Sequence, residues 1–600
     1  MSLRVTALVK QVPKGDHSGR LDADGRLERA GAVAEMNPWC RRAVAQAVRL
    51  AREAGGRSTA ITMGPPAAVE VLREALAWGV DDALHLSDPA LAGSDCLVTA
   101  RALAATIGLF DQPPDLILVG ASSVDGSTGA VGAMLAELLG LPFTGPVLAL
   151  EPDGGRLRTT VQYDTGTESV TVDLPAVVAV AERSCSPAKA PAETWPAVTA
   201  VRQVTTADLP PALWGLQASP TKVAQVHPAP RTRNPVIFRG KPEFQAARAL
   251  SELTARGCFE PPAPGPHASV PVVSHVEPSA KGLDLPPDGR AARDVVTLVG
   301  PGSVEGTRAL LGAAAALAAE VGGSVVAVRT APGDHELARW GADEVATLDG
   351  DEPRAVARSL AEWIGERRPW AVLGAALPWD REVLARLAVA CDAGLMSDLV
   401  SLSAKAGRLS GLKPSGGGTL AEIVSHGTPQ IATLRTGLLP LRSPRPDRRL
   451  TERVLHVPPD PAITREERRT GDDGDALDRA DVVIGVGRGV PPEKYDELEP
   501  VRALLNAELA ATRKVTDEGW LPHGRQIGIT GRSVAPRVYL AVGLSGNLNH
   551  LAGASRAGTV VAINTDPTAE IFAHCDVGLV ADWQEVMPYL VDGLRAHVSG

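Results

Sequence analysis

Two stretches far apart in the chain carry the same order of patterns. PDLILVGASSVDGSTGAVGAMLAELLGLP spans residues 114–142, and PWAVLGAALPWDREVLARLAVACDAGL spans 369–395. Each opens on a short apolar run, crosses a turn and continues as a helix-forming run. Upstream of the first, GVDDALHL (79–86) is echoed by GADEVATL (341–348) upstream of the second. A short unbroken apolar run is a strand buried on both faces, and a strand-turn-helix order that recurs builds a parallel sheet. The spacing between the copies is far too long for a solenoid. The pattern therefore predicts two tandem copies of one doubly wound α/β domain.

In chain order, the first copy predicts strands at 4–9, 58–63, 83–86 and 116–120, with helices at 38–54, 67–78, 95–107 and 130–139. The second predicts a strand at 295–300, a helix at 303–321 and a strand at 324–329. Between them, residues 258–293 are dense in Pro and Gly with no surviving period, as expected of a semi-extended linker. Residues 441–474, rich in Pro and charge, read as a second, irregular connector. The expected organisation is thus 1–257, a linker 258–293, 294–440, a connector 441–474, and a C-terminal domain 475–600. Aromatic residues make up only 3% of the chain, and Ala, Gly, Val and Leu dominate, which suits helix-on-sheet layers.

The C-terminal domain has its own signature between Thr512 and Pro567. Three β-rich runs, 526–530, 537–542 and 559–563, each end in small, hydroxylated or amide residues. Parallel strands present a polar tip of this kind to a ligand at their carboxyl ends. Gly528, Gly531, Gly543, Gly546 and Gly553 read as positions where backbone approaches a flat, phosphate-bearing ligand. Asp481–Gly489 ends in GVGRG, a broken dinucleotide fingerprint that an ordinary tight turn explains as well. In the first copy, the Asp125–Gly129 turn before a helix reads equally as an anion site or as a plain helix cap. The second copy has Leu377–Arg381 there, with Trp379 and Asp380 expected to fill or repel a phosphate site.

Other classes are excluded or disfavoured. The net charge of -10 argues against nucleic-acid binding. The six cysteines are scattered without CxxC or Cys/His spacing, so no metal site is expected and buried or surface thiols in a cytoplasmic protein are. The chain opens directly on a strand-like run without a signal-peptide core, and its most apolar span, 309–319, is short and Ala-rich.

These residues resemble the electron-transfer flavoproteins, with the β subunit placed ahead of the α subunit in one chain. The β-like marks are VKQVP (9–13), MNPWCRRAVAQAVRL (36–50), ITMGPPAAVEVLREALAWGVD (61–81), VDGSTGAVG (124–132) and DLPAVVAV (173–180). The α-like marks are GRG (487–489), TRKVTDEGW (512–520), QIGITGRSVAPRVYLAVGLSGNLNHLAG (526–553), AINTDP (562–567) and ADW (581–583). The resemblance implies tandem adenine-nucleotide α-hydrolase-like domains plus a Rossmann-like FAD-binding domain. It implies FAD held by Arg488, Thr512, Arg513, Gln526, Thr530, Gly531, Ser533, Val534, Ser545, Gly546, His550, Asn564, Asp566 and Asp582. Arg513 lies over the ring, Thr530 near N5 and His550 at the O2 side. Ser545, Asn564 and Asp566 match the pyrophosphate, ribose and adenine end. A second nucleotide, AMP or a second FAD, is implied at Asn37, Met63, Asp125, Gly126, Ser127, Thr128, Gly129 and Val131.

The implied function is a FAD-containing electron carrier. It takes electrons from a partner flavin dehydrogenase, as in fatty acid β-oxidation, and passes them to a membrane quinone oxidoreductase, with the two halves forming an intramolecular pseudo-heterodimer. The alternatives are an electron-bifurcating protein with two FAD and NADH, and a nucleotide-binding structural or regulatory protein without redox turnover. The sequence departs from the family at Asn547, at Asn549 in place of the usual Gln, at Ala130 in place of a glutamine, and across AERSCSPAKAPAETWP (181–196), where most of the partner-recognition pattern is missing.

Overall fold

The computed structural model describes residues 2–14, 33–163, 166–228, 233–260, 269–271, 293–330, 336–415, 419–470 and 475–598. Most of the expected 258–293 linker lies outside the described residues.

In the first sheet the strand order is Arg202–Val204, Asp82–Leu86, Arg57–Met63, Arg4–Leu8, Leu116–Gly120, Ala176–Val180, Phe143–Asp153, Arg156–Tyr163, Gly166–Asp173 and Ile463–Thr470. In the second it is Leu395–Leu399, Gln430–Leu434, Ala371–Ala375, Val295–Val299, Val325–Arg329, Glu344–Leu348 and Thr451–Leu455. Reversed, the seven-strand order of the second reproduces the first seven strands of the first, so the repeated pattern is a repeated topology. The central strands are parallel and fully buried, which is why they carry unbroken runs such as LILVG, AVVAV and VVTLV.

The copies are joined by exchange. Thr221–Pro228, from the first copy, pairs antiparallel with Thr419–Ser425 of the second. Ile463–Thr470, which follows the second copy, pairs antiparallel with Gly166–Asp173 of the first. Residues 441–474 are therefore not an irregular connector. They supply the edge strand Thr451–Leu455 to one sheet and the exchanged strand Ile463–Thr470 to the other. Their high charge, TREERR along Thr464–Arg469, hides a strand whose stability comes from a partner more than two hundred residues away in sequence.

Helices Val131–Leu138 and Pro378–Ala390 pack against each other between the copies, and one hydrophobic cluster takes residues from both, including Met134, Leu135, Leu384 and Leu387. Arg386 is fully buried there. It donates to Glu137 across the interface at 2.8 Å and to Glu382 on its own helix at 3.0 Å.

The third sheet, all parallel, runs Val236–Phe238, Val577–Val580, Thr559–Asn564, Val538–Val542, Val482–Val486, Glu508–Ala511. Its first strand comes from the stretch expected to end the first domain. The helix Pro242–Ala255 likewise packs on the C-terminal helix Trp583–Val598. The boundary at 257 is thus displaced: residues 236–255 belong structurally with the C-terminal domain. The run 526–530, expected as a strand, is a loop held by isolated bridges Ala511↔Gln526 and Ile527↔Arg532. Two glycines within five residues explain it, since Gly528 adopts a φ of 139° that other residues avoid.

Candidate functional site

In each of the three sheets the chain reverses its direction of strand addition beside a central strand, and ligands of open α/β sheets bind at the carboxyl ends of the strands flanking that switch point. In the third sheet these strands are Val482–Val486 and Val538–Val542, so the GRG and GLSG loops lie there together. Gly489 N–H donates to the Gly543 carbonyl at 3.0 Å, and Gly487 N–H to that of Val542 at 3.0 Å. Side chains at Gly487, Gly489 or Gly543 would collide with the opposite loop, and one at Gly546 with Ile571. Gly528, Gly531 and Gly553 are equally filled by Asn549, Gln526 and each other's backbone. In the direction a side chain would take, the space beside these glycines is filled by protein. They let loops at the switch point pack on one another.

Around this point, Arg488 and Ser545 are exposed. Asn564 Nδ2 donates to the Leu544 carbonyl at 2.8 Å and its Oδ1 accepts the Asp566 N–H at 2.9 Å. Asp566 caps its own turn through Thr568, and Asp582 caps the C-terminal helix through the Gln584 N–H. These five residues lie at or just after strand ends in one sheet; Arg488, Ser545, Asp566 and Asp582 are exposed and Asn564 is half-buried.

A second group lines a cavity of about 340 Å³ where all three sheets meet. The first copy contributes Trp39, Ser127, Glu182 and Arg183; the second contributes Thr436 and Arg435; the third domain contributes Arg513, Gln526, Thr530, Gly531 and Ser533. Arg513 begins the short helix Arg513–Asp517, for which Thr512 is the residue before the first turn. Its guanidinium pairs with Glu182 of the first copy, lies 3.3 Å from Asp517, and stacks 5.5 Å from the centre of the Trp39 ring. Burial pulls its pKa below the ordinary arginine value, and Asp517 acts in the opposite direction. Gln526 is buried; it accepts from the Thr516 hydroxyl and donates from Nε2 to the Thr530 hydroxyl, both at 2.8 Å. Thr530 itself is exposed to the cavity. Val534 is buried and backs the loop through its N–H to the Gly553 carbonyl.

His550 stands apart from that lining. Nδ1 faces the Ile527 carbonyl at 3.1 Å and Nε2 faces the Tyr539 hydroxyl at 2.6 Å. The Ile527 carbonyl can only accept, so Nδ1 carries the proton and Nε2 accepts from tyrosine. Desolvation pushes the imidazole pKa down to about 4, against the raising effect of Ile527. In this conformation both nitrogens of His550, the residue the resemblance sets at the O2 side, are engaged with protein.

The second-nucleotide residues converge at the switch point of the first sheet, between Arg4–Leu8 and Leu116–Gly120. Asn37 is fully buried, donating to the Ser122 carbonyl at 2.8 Å and accepting the Val124 N–H at 3.2 Å. Asp125 pairs with Lys10 at 2.7 Å and accepts the Gly126 N–H. Ser127 takes a φ of 47° and Gly129 one of 60°, so the turn is tightly wound. Thr128 bonds the Cys96 thiol, and Val131 starts the helix Val131–Leu138. Met63 ends the strand Arg57–Met63, one strand removed from Leu116–Gly120, and is partly buried against the core. At the matching point of the second copy, Trp379 is buried, donates to the Asp351 carbonyl at 2.7 Å and fills the space beside Gly300. Among the described residues no group of His, Cys, Asp and Glu could hold a metal ion.

Comparison with known families accounts for this arrangement. The electron transfer flavoprotein domain matches residues 24–209 and 300–460, and the electron transfer flavoprotein FAD-binding domain matches 476–555. The chain belongs to the electron transfer flavoprotein family. Its alpha-subunit relatives include one from Thermoanaerobacterium thermosaccharolyticum, 31% identical over 43% of this chain and 83% of that protein. The alpha subunit of Mycobacterium leprae is 34% identical over 40% of this chain and 75% of its own length. Protein FixB of Azorhizobium caulinodans is 32% identical over 41% and 69% respectively. Both matched domain types are α/β with parallel sheets, as the topology shows. The family establishes an electron-carrying protein with a FAD-binding C-terminal domain, working with dehydrogenase partners.

The residues present fit that cofactor. A flavin asks for a cation beside the ring, an oriented hydroxyl and a flat wall. Arg513, Thr530 held by Gln526, and Trp39 supply them at one cavity, while the polar strand ends suit the nucleotide portion. Sequence reasoning did not single out Trp39, Glu182 or Arg435 for this cavity. Trp39 alone carried a local signal, as the aromatic in MNPWC at a helix start; Glu182 and Arg435 are brought in by the fold.

Proposed function

We propose that this chain is a β–α fusion that carries FAD at the three-sheet cavity, AMP at the first-copy turn, and electrons from a flavin dehydrogenase to a membrane-bound quinone oxidoreductase. The observation that carries the reading is the convergence of Trp39 and Glu182, Arg435, and Arg513 with Thr530 on one cavity from three separate sheets. Such a cavity needs both halves, so fusing them keeps the site at high effective concentration. Among the described residues no helix is long and apolar enough to cross a membrane, so delivery to a membrane acceptor is by docking. We place the protein in the cytoplasm.

FAD, when bound, supplies reversible electron uptake and release. The chain supplies the electrostatics. Arg513, fixed between Glu182, Asp517 and Trp39, would hold a cation beside the flavin and so would favour its electron-rich state. Gln526 turns the Thr530 hydroxyl toward the cavity. Trp39 walls off water, which strengthens both effects. Neutral His550, tied to Tyr539 and Ile527, fixes the loop behind Thr530. In the first copy, the N–H groups of the Asp125–Gly129 turn and Lys10 suit a phosphate.

Release of nucleotides under denaturing conditions, with FAD and AMP counted per chain, tests this directly. Equal amounts of FAD and AMP are expected. Two FAD per chain with reduction by NADH would replace the carrier reading by the bifurcating one. A colourless protein that refuses added FAD would leave only a structural role.

A further inference from the structure

The Gly528–Ser533 loop that presents Thr530 is held from outside its own domain. Arg435, at the end of strand Gln430–Leu434 in the second copy, donates to the Ile529 carbonyl at 2.5 Å. It also lies 3.4 Å from both the Gly528 carbonyl and the Ser533 hydroxyl. Gly437 lies against the Ser533 carbonyl so closely that no side chain fits there, and Arg556 donates to the Leu438 carbonyl. Behind Arg435 stands Asp398, a carboxylate 4% exposed and 3.7 Å from its guanidinium. The same carboxylate accepts from Arg381 at 3.0 Å. Arg381, in turn, sets its Cδ and Nη1 where a Cβ on Gly129 of the first-copy turn would otherwise reach.

Asp398 is built for this place. It takes a φ of 60°, unusual outside glycine, in a bulge where the pairing of Leu395–Leu399 with Gln430–Leu434 slips between Met396 and Leu399. Bulges re-aim side chains, and strained backbone persists where the surroundings over-determine it. Its N–H is held by the Thr433 hydroxyl at 3.0 Å. Burial alone would raise this carboxyl, but Arg381, Arg435 and Lys413 together keep it below the ordinary range, so it stays charged.

The geometry points to a relay, Arg381–Asp398–Arg435, that fixes the Thr530 loop and ties it to the first-copy Asp125–Gly129 turn. Arg435 and Asp398 border the cavity, and we assign them a positioning role: through the Ile529 carbonyl they set where Thr530 stands relative to it. The relay crosses from the second copy to both other domains, so the ring loop and the second-nucleotide turn share one support.

This rests on the flavin reading above, and the test separates the two. Hydrogen exchange is followed by mass spectrometry in the full chain for segments 526–534 and 121–131, in wild type, Asp398→Asn and Arg435→Lys. The flavin midpoint potential is measured on the same samples. Asp398→Asn is expected to speed exchange about tenfold in both segments, and Arg435→Lys in 526–534 alone. Both are expected to move the potential. Exchange changes confined to 395–399, with both segments as in wild type, would overturn the relay. Faster loop exchange at an unchanged potential would overturn its bearing on the flavin. A chain without FAD would sink the flavin reading, and the exchange result would still decide the relay. Should Asp398→Asn fail to fold, Arg435→Lys, which keeps the charge, decides the loop arm.

Discussion

The turn after Leu116–Gly120 and the turn after Ala371–Ala375 occupy equivalent places in two copies of one topology. The first is wound from Asp125 to Gly129 with small side chains and positive φ angles at Ser127 and Gly129. The second has Trp379 pressed beside Gly300 and Asp380 buried beneath it, its pKa raised by desolvation to about 7. The same switch point thus serves as a candidate anion cradle in one copy and as packing in the other. Duplication fixed the scaffold; a few side chains decided what each turn does. The second turn keeps one link to the first, since Arg381 reaches over to Gly129.

The comparison can be broken most forcefully at Trp379. Trp379→Ala removes a buried indole and its hydrogen bond, and a loss of about 3–5 kcal/mol is expected in denaturant unfolding. If instead stability is unchanged and AMP binds at the second turn, the two turns are interchangeable and the contrast fails. The interface between the copies offers a test of similar size. Arg386→Ala leaves Glu137 and Glu382 facing each other without their shared cation, and should cost about 3–5 kcal/mol, whereas Arg386→Met should cost clearly less.

The third domain is probed through His550. Its pKa is lowered when folded, so the protein's neutral form gains stability above the unfolded histidine value and loses it as pH falls from about 6.5 toward about 4. The loss over that window should approach about 3 kcal/mol. It should vanish in His550→Gln, read by unfolding midpoints at a series of pH values. At the first turn, Lys10→Ala removes the cation assigned to the phosphate and should weaken AMP retention about tenfold, checked by AMP counts after dialysis. The smallest effect is expected from Ser127→Gly. It relieves a left-handed backbone angle and should change stability by about 1 kcal/mol or less. A large loss there would mean the serine hydroxyl, bonded to the Ser123 carbonyl, matters more than the turn's shape.

Much of the fold was legible because its signals are local. Runs such as LILVG and VVTLV are strands wherever they meet a sheet, and Pro38 and Gly79 mark a helix start and a helix end by their own backbone preferences. The misreadings share one cause. Ile463–Thr470 looks like a charged linker because it is an edge strand whose partner lies in the other copy. Val236–Phe238 is too short to announce itself and joins a sheet assembled from the far end of the chain. The 526–530 run has strand composition, but its glycines and the neighbouring loops fold it into a bridge-held turn. The glycines of the switch point were visible as glycines; that they accommodate each other's loops could be known only once the loops were placed.

For the site, the sequence by itself determined the chemistry: an arginine after threonine, a hydroxyl in a glycine-flanked loop, a histidine ahead of a small-residue turn, and a compact Asp-Gly-Ser-Thr-Gly turn in one copy but not the other. Residue type and spacing limit which groups can be presented at a strand end, and the family resemblance supplied the roles given to Arg513, Thr530 and His550. Only the tertiary structure decided which groups act together. It stacked Trp39 on Arg513 and brought Glu182 to the same guanidinium. It took His550 out of the cavity and made it neutral, and it put Asp398 between two arginines that serve different domains. Those outcomes depend on burial and on contacts between residues hundreds of positions apart, and no local pattern encodes them.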